Sequence, residues 1–360
     1  MIKIARLTGD STYREKTMKK TLGTVTALLL ASTSMASADG VLNLYNWGNY
    51  TSPELIAQFT ADTGIAVTIT DFDSNDTALA RVRQGGHGFD IVVPTASFIP
   101  TWINEGLLAP LDPAIVTDRG NIAPQWLDVA FDPGREYTVP WQWGTTGIIV
   151  NTSAYGGDIN TADIILNPPP ELDGRINVIP EMSDVMAIAV YANGGDDACT
   201  SDMNVWRAVR DSLMAAKPHW LSIDYGSLDN FVAGDILAGV YWNGSTMRAR
   251  LQNPDIAYGY PATGYPVWMD NAAVLADAQN PENAMIFMNY ILQPQNAAML
   301  SNFARYANGI TGSEEFMDPA MGTAPEIVIP EELVAAGHIG SACPQDIQDI
   351  RTQIWTELLQ

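Results

Sequence analysis

The stretch VLNLYNWGNYTSPELIAQFTADTGIAVTIT, residues 41–70, holds a strand, a helix and a second strand in succession. Its two ends are rich in branched and aromatic residues, which favour strands. Between them, Ser52 followed by Pro53 is a typical helix start, and Gly64 is a typical helix end. Because the alternation continues to about residue 103, the sequence predicts βαβ units with a parallel sheet, and hence an α/β fold.

The first 38 residues have the features of a secretory signal peptide. Basic residues come first, and the apolar run TLGTVTALLLAS and the cleavage pattern Ala36-Ser37-Ala38 follow. The apolar run is shorter than the ~20 residues that cross a bilayer. We therefore expect an exported protein that is free in the periplasm, because no lipid-anchor cysteine follows the leader.

Charge and length narrow the class of protein. The 360 residues carry a formal net charge of −23, and loss of the basic leader makes the chain more acidic. Such a chain repels polyanions, so nucleic acid is not an expected partner. The length usually exceeds one hydrophobic core, which favours two domains, and we expect a monomer.

Two extended, aromatic segments interrupt the alternation of helices and strands. They are WQWGTTGIIVN at 141–151 and AYGYPATGYPVWMDNAAVLA at 257–276. We interpret them as crossings between two lobes. This interpretation assigns residues 39–146 and 267–305 to lobe 1, residues 147–266 to lobe 2, and residues 306–360 to a C-terminal tail that packs back on the lobes.

Candidate binding residues cluster where predicted strands end, the position at which open α/β sheets hold their ligands. Trp47 follows the first strand, on a turn where we do not expect it to be core, and Trp242 and Trp268 end later strands. The polar residues at such exits are Asn49, Thr95, Ser97, Glu181, Asp184, Ser245 and Asp270. Indole faces attract cations and carboxylates pair with ammonium groups, so this set predicts an organic-amine site without a cofactor.

Each of these residues also has a structural interpretation. The tryptophans could equally be packing residues. Glu181 and Asp184 could cap a helix N-terminus, as Thr95 and Ser97 could cap the helix after their strand. Asp270 could begin a turn with Asn271. The prediction therefore depends on the joint placement of the residues.

Residues for catalysis are few. The histidines His87, His219 and His338 share no metal-binding spacing, and the chain has no nucleophile elbow or phosphate loop. An exported hydrolase remains an alternative if two carboxyl groups, such as those of Glu181 and Asp270, face each other about 5–10 Å apart.

Cys199 and Cys343 are the two cysteines. An even pair in an oxidising compartment favours a disulfide, although two free thiols remain possible.

The sequence resembles the periplasmic polyamine-binding proteins of ABC uptake systems, the putrescine- and spermidine-binding group. The resemblance rests on LYNWGNY at 44–50, FDSND at 72–76, GFDIVVPTASF at 88–98, WQWGTTGIIVN at 141–151, GDILAGVYWNG at 234–244, VWMD at 267–270, FMNYILQP at 287–294 and RYANG at 305–309. It implies a two-lobed periplasmic-binding-protein fold of type II that closes on its ligand and then docks on an inner-membrane permease.

The resemblance also implies roles for individual residues. Trp47, Trp242, Trp268 and Tyr306 would form an aromatic box, and Asp270 would hold one ammonium end of the ligand. Thr95 and Ser97 would supply a hydroxyl, while Asp184 and Glu181 match an acidic pair.

At Asn49 and Ser245 the sequence departs from the family, which would place acids there. A charge-assisted hydrogen bond contributes roughly 1.5–3 kcal/mol, so two missing acids would weaken the binding of a diamine by several decades. The ligand is therefore a polyamine held by other acids, or an amine with fewer cationic ends, for example one that resembles an amino acid. A sensor that docks on a receptor is a further alternative.

Overall fold

The computed structural model describes residues 40–360, so the predicted signal peptide at 1–38 lies outside the described residues. Ten strands are present in this part of the chain: β1 Gly40–Trp47, β2 Ile65–Phe72, β3 Ile91–Val92, β4 Thr138–Asn151, β5 Ile176–Val178, β6 Trp220–Ile223, β7 Ala238–Trp242, β8 Ile256–Gly259, β9 Tyr265–Val274 and β10 Gly337–Ile339. The α-helices are α1 Pro53–Thr63, α2 Asn75–Arg83, α3 Ile99–Asn104, α4 Pro124–Leu127, α5 Asp163–Leu166, α6 Met182–Ala192, α7 Met203–Ala216, α8 Leu228–Ala233, α9 Asn243–Arg250, α10 Pro281–Ile291, α11 Pro294–Ala304 and α12 Gln345–Leu359. Short 3₁₀ helices lie at Asp118–Asn121, Pro133–Arg135, Pro170–Leu172, Lys217–His219, Ser313–Glu315, Pro319–Thr323 and Glu331–Ala336.

No helix in this described part has both the length and the apolar character of a membrane-crossing segment.

The strands form one mixed sheet in the order β2-β1-β3-β9-β4-β7-β5-β6, with β8 paired to β4 and β10 paired to β9. β1 runs parallel to β2 and β3, as the βαβ pattern predicts. The long strands β4 and β9 lie antiparallel to each other in the middle of the order. Two parallel segments are thus joined through an antiparallel centre.

Two large hydrophobic cores lie along this sheet. The first is built on β1, β3 and β9 with helices α1, α10 and α11, and the second on β5 and β7 with α6, α7 and α12. Strand β4 contributes Val139 and Trp141 to the first core and Ile148, Ile149 and Val150 to the second. The chain therefore crosses between two separately packed bodies, and the predicted two-lobed α/β fold is confirmed.

Local signals place several elements as the sequence predicts. Helix α1 begins at Pro53, the Ser52 side chain accepts a hydrogen bond from the Leu55 backbone N–H, and Gly64 ends the helix with a φ of 75°. At the other end of the chain, α12 buries Ile347, Ile354 and Leu358 against the second core.

Three strands differ in length from the prediction. β1 extends through Trp47, because β2 pairs with it along its whole length, up to Phe72. β9 is continuous through Trp268 and Asp270, because β4 supplies partners along it. The apolar run FDIVVPTA at 89–96 predicts a longer strand, but β3 contains only Ile91 and Val92; Pro94 follows closely and has no N–H to donate.

The structure joins Cys199 and Cys343 in a disulfide, with their Cα atoms 5.2 Å apart. The bond ties the loop before α7 to the segment before α12, across 144 residues of sequence.

Candidate ligand-binding site

A cavity of about 340 Å³ lies between the two cores. All eleven residues predicted from the sequence line it: Trp47, Asn49, Thr95, Ser97, Glu181, Asp184, Trp242, Ser245, Trp268, Asp270 and Tyr306. They come from strands, helix starts and loops of both lobes, so the tertiary fold brings together positions up to 259 residues apart in the chain.

Trp47 is both a core residue and a wall of the cavity. It is the last residue of β1, only 7% exposed, and it packs against Phe72 with ring centroids 4.6 Å apart. Its indole N–H donates to the Val93 carbonyl at 3.0 Å. The expectation that Trp47 leaves the core on a turn is therefore wrong, since pairing with β2 continues the strand through Trp47.

Trp242 faces Trp47 from the second lobe. It immediately precedes α9, and its ring centroid lies 6.3 Å from that of Trp47, edge to face. Its indole N–H donates to the Asp184 carboxylate at 3.2 Å, and Tyr225 packs on it at 5.4 Å. This hydrogen bond fixes the indole and holds the carboxylate beside it.

Trp268 and Tyr306 form a second aromatic pair, with ring centroids 5.1 Å apart in an edge-to-face arrangement. Tyr50 packs against Tyr306 in the same way at 5.4 Å. Two glycines leave room for these rings: a Cβ on Gly144 would lie 2.7 Å from the Trp268 ring, and one on Gly244 would lie 2.5 Å from Tyr306. Aromatic walls of this kind suit an alkyl chain or a cationic group.

Asp270 follows Trp268 by two residues within β9, so both side chains project to the same face of the strand. The idea that Asp270 begins a turn is therefore wrong. Its carboxylate is buried and accepts a hydrogen bond from the Thr95 hydroxyl at 2.7 Å. Burial raises the pKa of Asp270 to about 7, and the charge of Asp184 acts in the same direction.

Thr95 and Ser97 do not cap the helix that follows them. The residue that precedes α3 is Phe98, and no side chain caps this helix. The Thr95 hydroxyl instead accepts a hydrogen bond from the Asn75 side-chain amide at 3.0 Å and donates one to the Asp270 carboxylate. Ser97 lines the cavity.

Glu181 and Asp184 lie at the start of α6, and both are buried. Glu181 does cap the helix, through the Ser183 N–H, but it also accepts the Asn75 backbone N–H at 3.1 Å from the other lobe. Asp184 accepts from the Thr146 hydroxyl and from Trp242. Burial raises the pKa of both carboxyls, and the charge of Asp184 contributes to the rise at Glu181. We call Glu181, Asp184 and Asp270 the carboxylate cluster.

Asn49 and Ser245 also line the cavity. Asn49 is exposed and has a φ of 55°, a left-handed conformation that asparagine tolerates better than most residues. The Ser245 hydroxyl is 2.8 Å from the Tyr306 hydroxyl and also accepts from Arg248 at 2.8 Å.

The sequence interpretation did not name the other residues of the cavity wall, among them Tyr50, Asn75, Tyr225, Arg248 and Arg351. Tyr225 follows β6, so the strand-exit rule would have found it had that strand been predicted. Arg248 comes three residues after Ser245 in α9, a spacing that puts both on one helix face. Arg351 belongs to α12, and nothing in the local sequence links that helix to the cavity.

The cavity thus combines indole faces with buried carboxylates. Carboxylates that are taken out of water stabilise a cation strongly if it pairs with them, and indole faces add to that attraction. Within residues 40–360, no group of three or more metal-ligating side chains is arranged to hold a metal ion. An organic ammonium group fits the chemistry of this wall.

Comparison with known proteins gives a consistent family. The model of the bacterial extracellular solute-binding proteins matches residues 54–327. The spermidine/putrescine-binding periplasmic protein 1 of Haemophilus influenzae is 27% identical, over 89% of this chain and 94% of that protein. The putrescine-binding periplasmic protein PotF of Escherichia coli (strain K12) is 27% identical, over 93% of this chain and 96% of that protein.

A solved structure from Listeria monocytogenes, provisionally described as a spermidine/putrescine ABC transporter, is similar in fold as well as in sequence. It superposes with a TM-score of 0.83 at 27% identity and covers 89% of this chain and 99% of that one. The family match spans most of the chain and includes residues of both cores and most of the cavity wall. The chain therefore belongs to the family of bacterial extracellular solute-binding proteins.

Proposed function

We propose that this protein is the extracytoplasmic receptor of an ABC uptake system and that it binds a polyamine or a related organic amine in the cavity. The observation that carries the proposal is the placement of three indoles and the buried carboxylate cluster in one cavity between the lobes. The names of the two relatives, which are said to bind spermidine or putrescine, support the same class of ligand.

Binding is proposed to start from a partly protonated site. With a pKa of about 7, Asp270 carries its proton for part of the time at neutral pH. An ammonium group beside it favours the ionised form, so the carboxyl loses its proton as the amine binds. Each charge-assisted hydrogen bond then contributes roughly 1.5–3 kcal/mol, while the alkyl chain packs between the pairs Trp47–Trp242 and Trp268–Tyr306.

Hydrogen bonds that cross the cavity support a closing mechanism. Glu181 accepts the Asn75 N–H at 3.1 Å, and the Tyr225 hydroxyl donates to the Gly48 carbonyl at 2.9 Å. A ligand that contacts both lobes stabilises the arrangement in which these bonds are made. We propose that the lobes, with the boundaries assigned from the sequence, open and close about β4 and β9.

The remaining parts of the proposal concern location and partners. We propose that the chain is exported to the periplasm by its signal peptide, acts as a monomer and delivers its ligand to an inner-membrane permease. We propose no enzymatic activity, because indoles line the same cavity as the carboxylates and Asp184 already accepts two hydrogen bonds from protein groups. A permease gene beside this one would favour transport over sensing.

The test is a binding assay on purified protein. Protein unfolded and refolded to remove any bound solute is titrated with putrescine, cadaverine, spermidine, spermine, agmatine and the matching amino carboxylates. Tryptophan fluorescence and thermal unfolding are the readouts, and mass spectrometry identifies whatever solute the protein carries on purification. We expect a fluorescence change and a ligand-dependent rise in melting temperature.

Matched tryptophan variants make this test specific. Trp242→Phe removes the bond to Asp184 and should weaken binding about tenfold or more. Trp355→Phe alters an indole of α12 that does not line the cavity and should leave affinity unchanged. If none of these amines binds, the proposal is wrong.

A further inference from the structure

Arg248 places a positive charge in the cavity wall. It lies in α9, one turn after Ser245, and lines the cavity from the second lobe. Its Nη1 donates to the Asn49 backbone carbonyl at 2.9 Å, and its Nη2 donates to the Ser245 hydroxyl at 2.8 Å. Both acceptors are uncharged, so neither of them neutralises the guanidinium.

No carboxylate pairs with Arg248 within residues 40–360. The contrast with its neighbour is clear, because Arg250, two residues later on the same helix, forms an ion pair with the buried carboxylate of Glu326. A guanidinium has five N–H donors, and Arg248 uses two of them for protein acceptors. It therefore retains both charge and donors for a further partner.

The carboxylate cluster lines the same cavity as Arg248. The Arg248 charge acts on the hydroxyls of Tyr225, Tyr241 and Tyr306 and lowers their pKa, against the larger effect of burial. The Asp184 charge acts on Asp270 and Glu181, and also on the buried guanidinium of Arg351. Tyr306 contacts both groups of residues: its hydroxyl is 2.8 Å from the Ser245 hydroxyl that Arg248 binds, and its ring packs on Trp268, two residues before Asp270 in β9. The wall thus carries the carboxylate cluster, which Arg351 of α12 adjoins, and a second guanidinium, that of Arg248, on the Ser245 side of Tyr306.

These charges select among amines. An ammonium group next to the guanidinium would be repelled, by an amount of the same order as the attraction at the carboxylate cluster. A carboxylate in that place would be attracted and could accept the unused N–H groups as a two-pronged pair. A straight-chain ligand with an ammonium group at one end and a carboxylate at the other can therefore pair with the carboxylate cluster and with Arg248.

We propose that the ligand is a zwitterionic amine whose ammonium group binds Asp270 and Asp184 and whose carboxylate binds Arg248. This inference rests on the proposed function, and it narrows the related organic amines to the ω-amino carboxylates. The Ser245 and Tyr306 hydroxyls stand beside the guanidinium and complete the polar surroundings of the carboxylate.

The experiment compares ligands that differ only at one end. Isothermal titration is carried out with ω-amino carboxylates of four, five and six carbons, with the diamines of the same lengths, and with n-butylamine. For the best chain length, the wild-type protein should bind the amino carboxylate about 10- to 100-fold more tightly than the diamine.

Variants at Arg248 test the assignment of the carboxylate end. Arg248→Gln keeps hydrogen-bond donors without the charge and should weaken the amino carboxylate about tenfold or more, while n-butylamine is unaffected. Arg248→Glu should reverse the preference in favour of the diamine. Arg207→Met, an exposed arginine of α7 outside the cavity, is the control and should change neither affinity. Far-ultraviolet circular dichroism and thermal unfolding check that each variant is folded.

The outcomes separate the two proposals. If the diamine binds more tightly than the amino carboxylate and Arg248→Gln does not alter the ratio, the zwitterion inference is wrong and the proposed function stands. If no amine of either kind binds to folded wild-type protein, both are wrong.

Discussion

Replacing Asp270 by asparagine should stabilise the ligand-free protein while it weakens ligand binding. The carboxyl is buried, and burial raises its pKa from 3.8 to about 7. Each pKa unit corresponds to 1.36 kcal/mol, so keeping this group ionised in the fold costs up to about 4 kcal/mol above pH 7. An asparagine of similar shape avoids that cost and still accepts the Thr95 hydroxyl through its amide oxygen. We expect a gain in unfolding free energy of about 2–4 kcal/mol for Asp270→Asn.

The sign of the pH dependence identifies the cause. The folded protein holds the Asp270 proton more tightly than the unfolded chain does, so stability is lost as pH rises from about 4 to about 7. Asparagine does not titrate, and the stability difference between variant and wild type should therefore be small near pH 4, grow with pH and level off above about 7.

Urea unfolding followed by circular dichroism at several pH values measures this difference. Asp196→Asn, a change at an exposed acid outside the cavity, is the control and should be within about 0.5 kcal/mol of wild type at every pH. For amine ligands, Asp270→Asn should lose about 10- to 150-fold in affinity, because a charge-assisted bond becomes a neutral one. A stability difference that does not vary between pH 4 and 7 would refute the reasoning.

Three further predictions concern protonation, packing and the disulfide. Amine affinity should fall below pH 7 by up to about tenfold per pH unit for each member of the carboxylate cluster that must lose a proton before the amine binds. Calorimetric titrations in buffers of different ionisation enthalpy should show the release of these protons. An affinity that does not vary between pH 5 and 8 would contradict this prediction. Gly244→Ala should weaken binding and destabilise the fold, because the new Cβ would lie 2.5 Å from the Tyr306 ring, whereas Gly322→Ala meets no atom within 4 Å and should bind normally in the same titration. Reduction of Cys199–Cys343 should lower the unfolding free energy by up to about 5 kcal/mol, because the bond closes a loop of 144 residues; identical urea curves with and without reductant would contradict that expectation.

Local interactions determine the features that the sequence alone predicts. The start of α1 follows from the Ser52 side chain and the fixed φ of Pro53, and its end follows from the left-handed conformation of Gly64, none of which needs a distant partner. The alternation of strand and helix likewise gives the α/β class and the parallel pairing of β1 with β2 and β3. The strand-exit rule and the family resemblance then indicate the tryptophans and acids of one cavity wall.

Contacts between distant segments decide the rest. Whether β1 ends before or after Trp47 depends on its pairing with β2, and whether Asp270 lies in a turn or a strand depends on its pairing with β4, so the sequence interpretation erred at both places. Because the pairing with β2 keeps Trp47 in β1, this residue both packs in the first core and lines the cavity. Strand length is set by the available hydrogen-bond partners, which local sequence does not reveal.

The electrostatic character of the cavity is likewise a tertiary property. The sequence shows neutral residues at Asn49 and Ser245, but it does not show that the Arg248 guanidinium lies against both. Burial in the folded protein raises the pKa of Asp270, and no local pattern reports how much water a folded cavity excludes. The sequence by itself determined the class of fold and the residue types of the site, because these follow from short-range geometry and composition. Only the tertiary structure decided where the opposite charges lie, because charge separation in a cavity depends on which distant segments meet.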